Sequence, residues 1–539
     1  MTKFRLGRYT AFILCAAVFI AALLSRQSGS LGGFWGGALI ALSGFLTLLG
    51  CWDLFQTRHS VLRNYPVIGH IRWMVEMIRP EIRQYLLESD TDATPFSREQ
   101  RSTVYRRAKE AASDHPFGTI RDVYAIDYEF IQHSLTPAPV PDPASFRITI
   151  GNEQCAQPYS ASIFNISAMS FGALSANAIR ALNKGAALGG FYHDTGEGSL
   201  SAYHRENGGD IVWQIASGYF GCRDEQGHFD PERFAAQAAS PQVKMIELKL
   251  SQGAKPGHGG VLPARKVTRE IAETRGVPMG VDCVSPARHS AFSTPTEMIA
   301  FLQELRTLSG GKPVGFKLCI GLPWEFMAIV KAMLATGIVP DFIVVDGGEG
   351  GTGAAPVEFS DHIGVPMREG LLFVHNTLVG AGLRDRIRIG VAGRLTSAFD
   401  LAAVLAIGAD WVNAARGYMF ALGCIQSMSC HTNRCPVGVA TQDVKRSRAL
   451  VVPDKAERVW RYHERTVQAL AEMLAAAGLS HPEELLPHHL VHRVNNVEIR
   501  QFDRMHYFAE PNDLIEGRST SSFYSDSWAR ASAESFAPA

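Results

Sequence analysis

A chain of 539 residues in which 52 Lys and Arg balance 52 Asp and Glu has no global field, which excludes recruitment of nucleic acid or an acidic partner by bulk charge. The length exceeds a single small core and calls for one large domain with appendages, or two to three domains. Of the nine cysteines, six are scattered singly, mostly in apolar runs, as reduced buried thiols are; a secreted disulfide framework does not fit, and the main body belongs in a reducing compartment.

The chain opens with two uncharged stretches, YTAFILCAAVFIAALLS (9–25), near the lower limit for spanning a bilayer, and LGGFWGGALIALSGFLTLLGCW (31–52), comfortably long enough. Lys3, Arg5 and Arg8 precede the pair and Arg58, Arg63 and Arg72 follow it, with only Arg26 between, so the positive-inside rule places both ends in the cytoplasm. Residues 1–72 therefore predict a transmembrane hairpin with cytoplasmic flanks, and with the main domain in the cytoplasm. A signal peptide is the rival reading, but no A-x-A-like cleavage site follows Leu24. Residues 73–160 are amphipathic and charged, and predict a juxtamembrane helical segment leading into the main domain.

From about residue 160 to 420, short apolar runs alternate with helix-length segments. The runs are 162–168, 189–194, 243–250, 278–284, 313–319, 341–347, 387–394 and 410–417. Eight such units predict a (β/α)8 TIM barrel, with a doubly wound open sheet as the alternative. In a barrel the strand C-terminal ends converge, so the polar and glycine-rich clusters that follow several runs meet at one face.

Those clusters hold distinct chemistries. Gly393 and Arg394 follow the seventh run, and Arg416 and Gly417 the eighth, where barrels frequently cradle phosphate; helix capping and surface charge are the bland alternative. ELKLSQGAKPGHGG puts Lys249, Gln252, Lys255 and His258 on a turn whose glycines admit close backbone approach to a ligand. Lys317, flanked by apolar strand residues, reads either as a snorkelling strand end or as a cation aimed into the barrel mouth. HDTGEGS brings His193, Asp194 and Glu197 beside glycines, and DGGEGGTGAAP, which contains Gly353, is dense enough in glycine to imply backbone held against something.

The loop GCIQSMSCHTNRCPVG crowds Cys424, Cys430 and Cys435 together, with Asn433 and Pro436 favouring turns. Three clustered thiolates point to a soft metal or an iron–sulfur cluster. Zinc completed by His431 lacks the usual closely paired cysteines. Reduced bystanders so close together would be prone to oxidation. Residues 446–513 carry apolar positions at helical spacing with a stop at Gly478, predicting a helical cap; the Ser/Ala-rich 514–539 reads as a disordered tail.

SAMSFGALS, TGEG, SGYFGCR, VKMIELKLSQGAKPGHGG, GGTGAAP and ALGCIQSMSCHTNRCPVGVATQD, in this order, closely resemble the FMN-binding synthase domain of glutamate synthases over residues 161–445. The whole resembles the short, membrane-anchored form of that family, which lacks the glutaminase domain. The resemblance implies FMN at the barrel mouth and a 3Fe-4S cluster on Cys424, Cys430 and Cys435. It implies that 2-oxoglutarate and ammonia give 2-iminoglutarate, which is then reduced to L-glutamate. Ser167, Ala168, Met169 and Ser170 would line the flavin, Gln252, Lys317 and Gly353 its polar edge, and Gly393, Arg394, Arg416 and Gly417 its phosphate. On physical grounds Lys317 would stabilise the charge of a reduced flavin, Lys249 and Lys255 would neutralise substrate carboxylates, and Glu197 would handle protons.

This sequence departs from the larger enzymes at GHGG, where they usually carry GEGG, and at CVSPARHSAF. The amine is therefore ammonia or a substituted amine, as in N-methylglutamate synthases. The expected electron donor is ferredoxin, a separate reductase subunit or the membrane. A non-catalytic or electron-transfer flavin barrel at the membrane is the competing reading.

Overall fold

The computed structural model describes residues 7–539 except 58, 92–93 and 112–115; Lys3, Arg5 and Arg58 of the charge argument lie outside the described residues. The chain divides into two units, Met1–Arg98 and Glu99–Ala539.

In the first unit the two apolar stretches form helices Thr10–Gln27 and Gly33–Phe55. Both are long and apolar enough to cross a membrane, with mean hydropathies of 1.9 and 1.8. They pack against each other through small residues. A Cβ on Gly44 would lie 2.8 Å from the Phe19 ring, and one on Gly50 only 2.2 Å from that of Phe12. At the end of the second helix, Asp53 is fully buried and accepts hydrogen bonds from the Val67 amide (2.9 Å) and the His70 ring (2.9 Å). A further helix, Gly69–Ile82, leaves Ile71, Trp73, Met74 and Met77 exposed.

The second unit is built on a closed barrel of eight parallel strands. They are β1 (Phe164–Ile166), β2 (His193–Asp194), β3 (Ile211–Ile215), β4 (Val243–Lys249), β5 (Val314–Leu318), β6 (Phe342–Asp346), β7 (Arg388–Ala392) and β8 (Trp411–Ala414). Strand β8 closes on β1, with Val412 opposite Phe164. The (β/α)8 expectation holds, and the open sheet is excluded.

One strand differs from the sequence reading. The run 278–284, expected as the fourth barrel strand, stays outside: only Cys283–Val284 is extended, paired antiparallel with Val261–Leu262 in a two-stranded flap. Its Met279, Val281 and Val284 are 63%, 55% and 60% exposed, whereas a barrel strand must be covered on both faces. The place in the barrel belongs to β3, IVWQI, all five residues of which are buried.

The barrel floor is closed by the hairpin Arg147–Ile150 and Tyr159–Ser162. Over the flank lies the long helix Val452–Ala476, against Ala176–Gly189; a Cβ at Gly185 would stand 2.5 Å from Val459 Cγ1, so glycine sets this close approach. The expected helical cap thus contributes one helix, while Leu490–Arg493 returns to pair with Glu129–Ile131. The tail expected to be disordered is instead ordered in part, as the helix Ser522–Arg530. Aromatics anchor it: Trp528 lies under Lys331 Nζ (5.0 Å), and Arg530 stacks on Trp324 (4.0 Å). The Ala533 carbonyl also accepts the Thr296 hydroxyl at 2.8 Å. Serine and alanine content concealed Tyr524 and Trp528; the burial of Tyr524 and the packing of Trp528 offset the ordering entropy.

Several histidines are buried without charge. Burial lowers His193 to about 3, His463 to about 3 and His289 to about 4, from 6.5. The folded state thus resists protonation that the unfolded chain accepts, so their contribution is intact above pH 6.5 and is lost as pH falls from there towards 4. Each costs about 1.4 kcal/mol per pH unit across that window. The urea midpoint is expected to fall steadily from pH 7 to pH 5; a flat midpoint over that range contradicts the burial of these rings.

Candidate active site

At the C-terminal ends of the barrel strands, four ionisable groups from four strands meet. Lys317 of β5 stands in register with Lys249 of β4 and Val344 of β6, and is 5% exposed. Its Nζ lies 3.5 Å from Asp346 Oδ2. Burial alone would depress this lysine, but the acidic side chains around it, Asp346 and Glu247 first, outweigh it and hold its pKa above the ordinary lysine range. The ammonium is permanent at physiological pH.

Asp194 and Glu247 form a tightly coupled, buried pair beside it. Burial, then the neighbouring Glu247 charge, raise Asp194 far above the carboxylate range, and Asp194 is the member that keeps the proton. Burial raises Glu247 as well, opposed by Lys317 and by the Gln214 amide, which donates to its Oε1 at 2.6 Å. The other oxygen of the arrangement is fixed by the Gly196 amide, 2.9 Å from Asp194 Oδ1.

Glycines let the surrounding loops close to backbone contact. A Cβ at Gly253 would fall 1.6 Å from the Gly347 carbonyl oxygen, and its amide donates to Asp346 Oδ2 at 3.0 Å, which ties the loop after β4 to the end of β6. Gly260 leaves room for Glu197, whose Oε1 would stand 2.0 Å from an added Cβ. Gly196 stacks on the flavin-lining stretch expected from the sequence: an added Cβ would be 2.8 Å from the Ser170 amide. That stretch continues β1, with the Ser167 amide donating to the Ala414 carbonyl at 3.0 Å, and it buries Ser167 and Met169 while Ala168 and Ser170 stay half-buried.

The predicted substrate lysines are not equivalent. Lys249 Nζ is engaged by Glu197 Oε2 (2.9 Å) and by Gln252 Oε1 (2.7 Å). Burial would raise Glu197, but Lys249, Arg275 and Lys255 overcome it and keep the carboxylate ionised, fit to accept a proton rather than donate one. Lys255 is buried, and burial lowers its pKa against the pull of Glu197.

At the predicted phosphate end, Arg394 is exposed at φ 43°, and its Nε donates to the Glu349 carbonyl at 3.0 Å beside Gly393. Arg416 points elsewhere: its guanidinium donates to the Thr352 carbonyl at 2.5 Å and lies 3.9 Å from Cys430 Sγ, so it joins the GGTG loop to the cysteine loop. Gly417 is explained by the long flanking helix, since an added Cβ would lie 2.5 Å from the Tyr462 hydroxyl. Gly353, by contrast, faces open space within 4 Å, beside Thr352, whose hydroxyl accepts from Gln252 Nε2 at 3.4 Å.

Cys424 and Cys435 are buried and Cys430 half-buried, all three free. Burial, then Cys430 and Cys435, push the Cys424 thiol up to about 11. Among the described residues, no three His, Cys, Asp or Glu side chains stand in ligating geometry. Lys266, which sequence reading passed over, is 3% exposed and donates to the Ala173 (3.0 Å) and Ala440 (3.1 Å) carbonyls; burial lowers it to about 8, opposed by Cys430 and Cys435. Glu247 and Asp346 were also missed as site residues. The signal for Glu247 was present, since it is the one acid inside the apolar run VKMIELKL and shares a strand face with Lys249.

A family model described as a conserved region in glutamate synthase matches residues 93–480, most of the barrel unit. The chain belongs to the glutamate synthase family. It is an oxidoreductase of that class, acting on CH–NH2 donors. The glutamate synthase large subunit-like protein YerD of Bacillus subtilis is 38% identical over 84% of this chain and 93% of its own length. The archaeal-type glutamate synthase (NADPH) of Thermotoga maritima is 34% identical over 59% of this chain and 60% of its own. The ferredoxin-dependent glutamate synthase of Antithamnion sp. is 33% identical over 53% of this chain, but over only 18% of its own length.

Gly253 fixes the loop after β4 against the end of β6. Gly253→Ala forces the loop after β4 off the Gly347 carbonyl, at an overpacking cost of about 1–3 kcal/mol. Its melting temperature is expected to drop by several degrees with far-UV circular dichroism intact; an unchanged melting temperature contradicts the contact.

Proposed function

We propose that the chain is a membrane-tethered, FMN- and iron–sulfur-dependent glutamate synthase. It reductively aminates 2-oxoglutarate to L-glutamate with ammonia, or a substituted amine, supplied from outside. The observation that carries this reading is Lys317, kept as a buried ammonium at the barrel mouth by three acidic side chains.

The lining supports the flavin more directly than the cluster, whose three cysteines share a loop without standing in ligating geometry among the described residues. Gly353 opens onto free space next to Thr352 and Gln252, the Ser167–Ser170 backbone lies on the same rim, and Lys317 supplies the cation that an anionic ring system requires. For the cluster, three thiols share one loop with Arg416 beside Cys430 and Lys266 close by, cations that compensate a thiolate-rich centre. Bound there, FMN supplies two-electron reduction and a 3Fe-4S cluster supplies single electrons.

The protein's own groups handle substrate and protons. Lys255, buried and not held by Gln252 or Glu197 within hydrogen-bond distance, is the cation for a substrate carboxylate, while Lys249 positions Glu197. Ionised Glu197 accepts the proton released as the amine adds to the keto carbon, and returns it as water departs. Asp194, holding its proton beside Glu247, keeps Lys317 from carrying a third full negative neighbour.

Two apolar helices support an anchor in a bacterial inner membrane, with the barrel on the cytoplasmic side. The relatives' names, NADPH for one and ferredoxin for another, support an external donor of that kind.

Anaerobically reduced protein mixed with 2-oxoglutarate and ammonia should show flavin reoxidation. In Lys317→Met the rate is expected to fall about 100-fold with FMN content near wild type. Parallel loss of flavin and rate would assign Lys317 to binding alone, and absence of reoxidation in the wild type with every amine tried would overturn the proposal.

A further inference from the structure

Among the segments that follow β2 and β3 and residues 273–276, a cavity of about 310 Å³ is walled by Ser199, Arg223, Arg233, Gln237, Glu273 and Arg275. Of these residues only Arg275 bears on the reaction proposed above, as one of the cations that keep Glu197 ionised. Two of the arginines contact one aromatic ring: the guanidinium of Arg223 lies 5.7 Å, and that of Arg275 5.2 Å, from the centroid of buried Phe220.

Arg275 is 3% exposed, and its Nε has no hydrogen-bond partner among the described residues; nor has the buried Nε of Arg223. Neither forms an ion pair with a carboxylate there. Arg275 is held instead by neutral groups, donating to the Phe171 carbonyl (2.9 Å), the Ser170 hydroxyl (3.5 Å) and the Cys283 sulfur (3.7 Å). The remaining charges of the wall are already matched. Arg233 pairs with Asp230 at 3.2 Å, and Glu273 with Arg269 at 3.4 Å.

Two like charges sharing one ring, at least one of them deeply buried, repel each other in a medium that screens poorly. A buried guanidinium N–H left without an acceptor, as at Nε of both arginines, is costly as well. An oxyanion in the cavity relieves both, because the guanidinium fork matches carboxylate and phosphate oxygens. The volume is at the lower end of ligand pockets, which suits a small metabolite and excludes a dinucleotide.

We propose that this cavity is a second ligand site, for a small metabolite bearing a carboxylate or phosphate group, clamped between Arg223 and Arg275. The site reports to the rim. Arg275 holds the Ser170–Phe171 stretch, and an added Cβ on Gly198, next to Glu197, would lie 3.0 Å from its Nη2. Occupancy therefore bears on the loops that carry Ser170 and Glu197. The binding claim itself needs neither flavin nor cluster.

Calorimetric titration of the full chain in detergent, in low-salt buffer, tests it with inorganic phosphate and succinate in separate arms. Saturable binding of at least one probe is expected, weakened at least tenfold in Arg223→Gln, whose half-buried position leaves the fold intact as checked by melting temperature. In Arg223→Glu the new carboxylate partners Arg275, so binding is lost and the melting temperature rises above wild type. The arm that saturates identifies the headgroup. No saturable binding in either arm, or equal binding by wild type and Arg223→Gln, overturns the site.

Discussion

The ammonium of Lys317, buried among Asp194, Glu247 and Asp346, is the constraint on which the barrel mouth depends. A lone buried lysine would lose its proton, and a lone cluster of three buried acids would take up protons or force the strands apart. Placed together they settle into one arrangement, with Asp194 protonated and the lysine charged. Because each group comes from a different strand, β2, β4, β5 and β6, the network exists only when the barrel is closed and in register. Removing one partner leaves the rest as uncompensated buried charge, the costly case for such networks.

Around that network the loops are fixed by backbone contact. Gly253 against the Gly347 carbonyl and Gly259 against the Ser285 carbonyl leave no room for a methyl group. This accounts for the density of glycine in stretches that would otherwise read as linkers. Gly353, in the same stretches, faces open space instead.

The barrel was legible because parallel strands buried on both faces read as short apolar runs. The rule failed once, in both directions: IVWQI was passed over between two turns although Trp213 is fully buried, and the equally apolar PMGVDCV was promoted although it lies on the surface. Composition does not say which of two apolar runs finds a covering layer. Lys317 and the cysteine loop were legible as isolated chemistry in an unusual context. The partners of Lys317 were not, since Glu247 and Asp346 sit far apart in sequence and acquire meaning only through strand register. Arg416 and Gly417 read as a phosphate cradle from position alone; their contacts, to Thr352 and Cys430 and to Tyr462, come from loops and a helix that sequence spacing cannot place.

The charge state of the network is its most direct test. Infrared difference spectra between wild type and Asp194→Asn at neutral pH report whether the removed group carried a proton. The account predicts loss of a protonated carboxylic acid C=O band that shifts in D2O. Loss of an ionised carboxylate band in its place would mean that Lys317 faces three full negative charges, and would contradict the arrangement from which the rest of the site is derived.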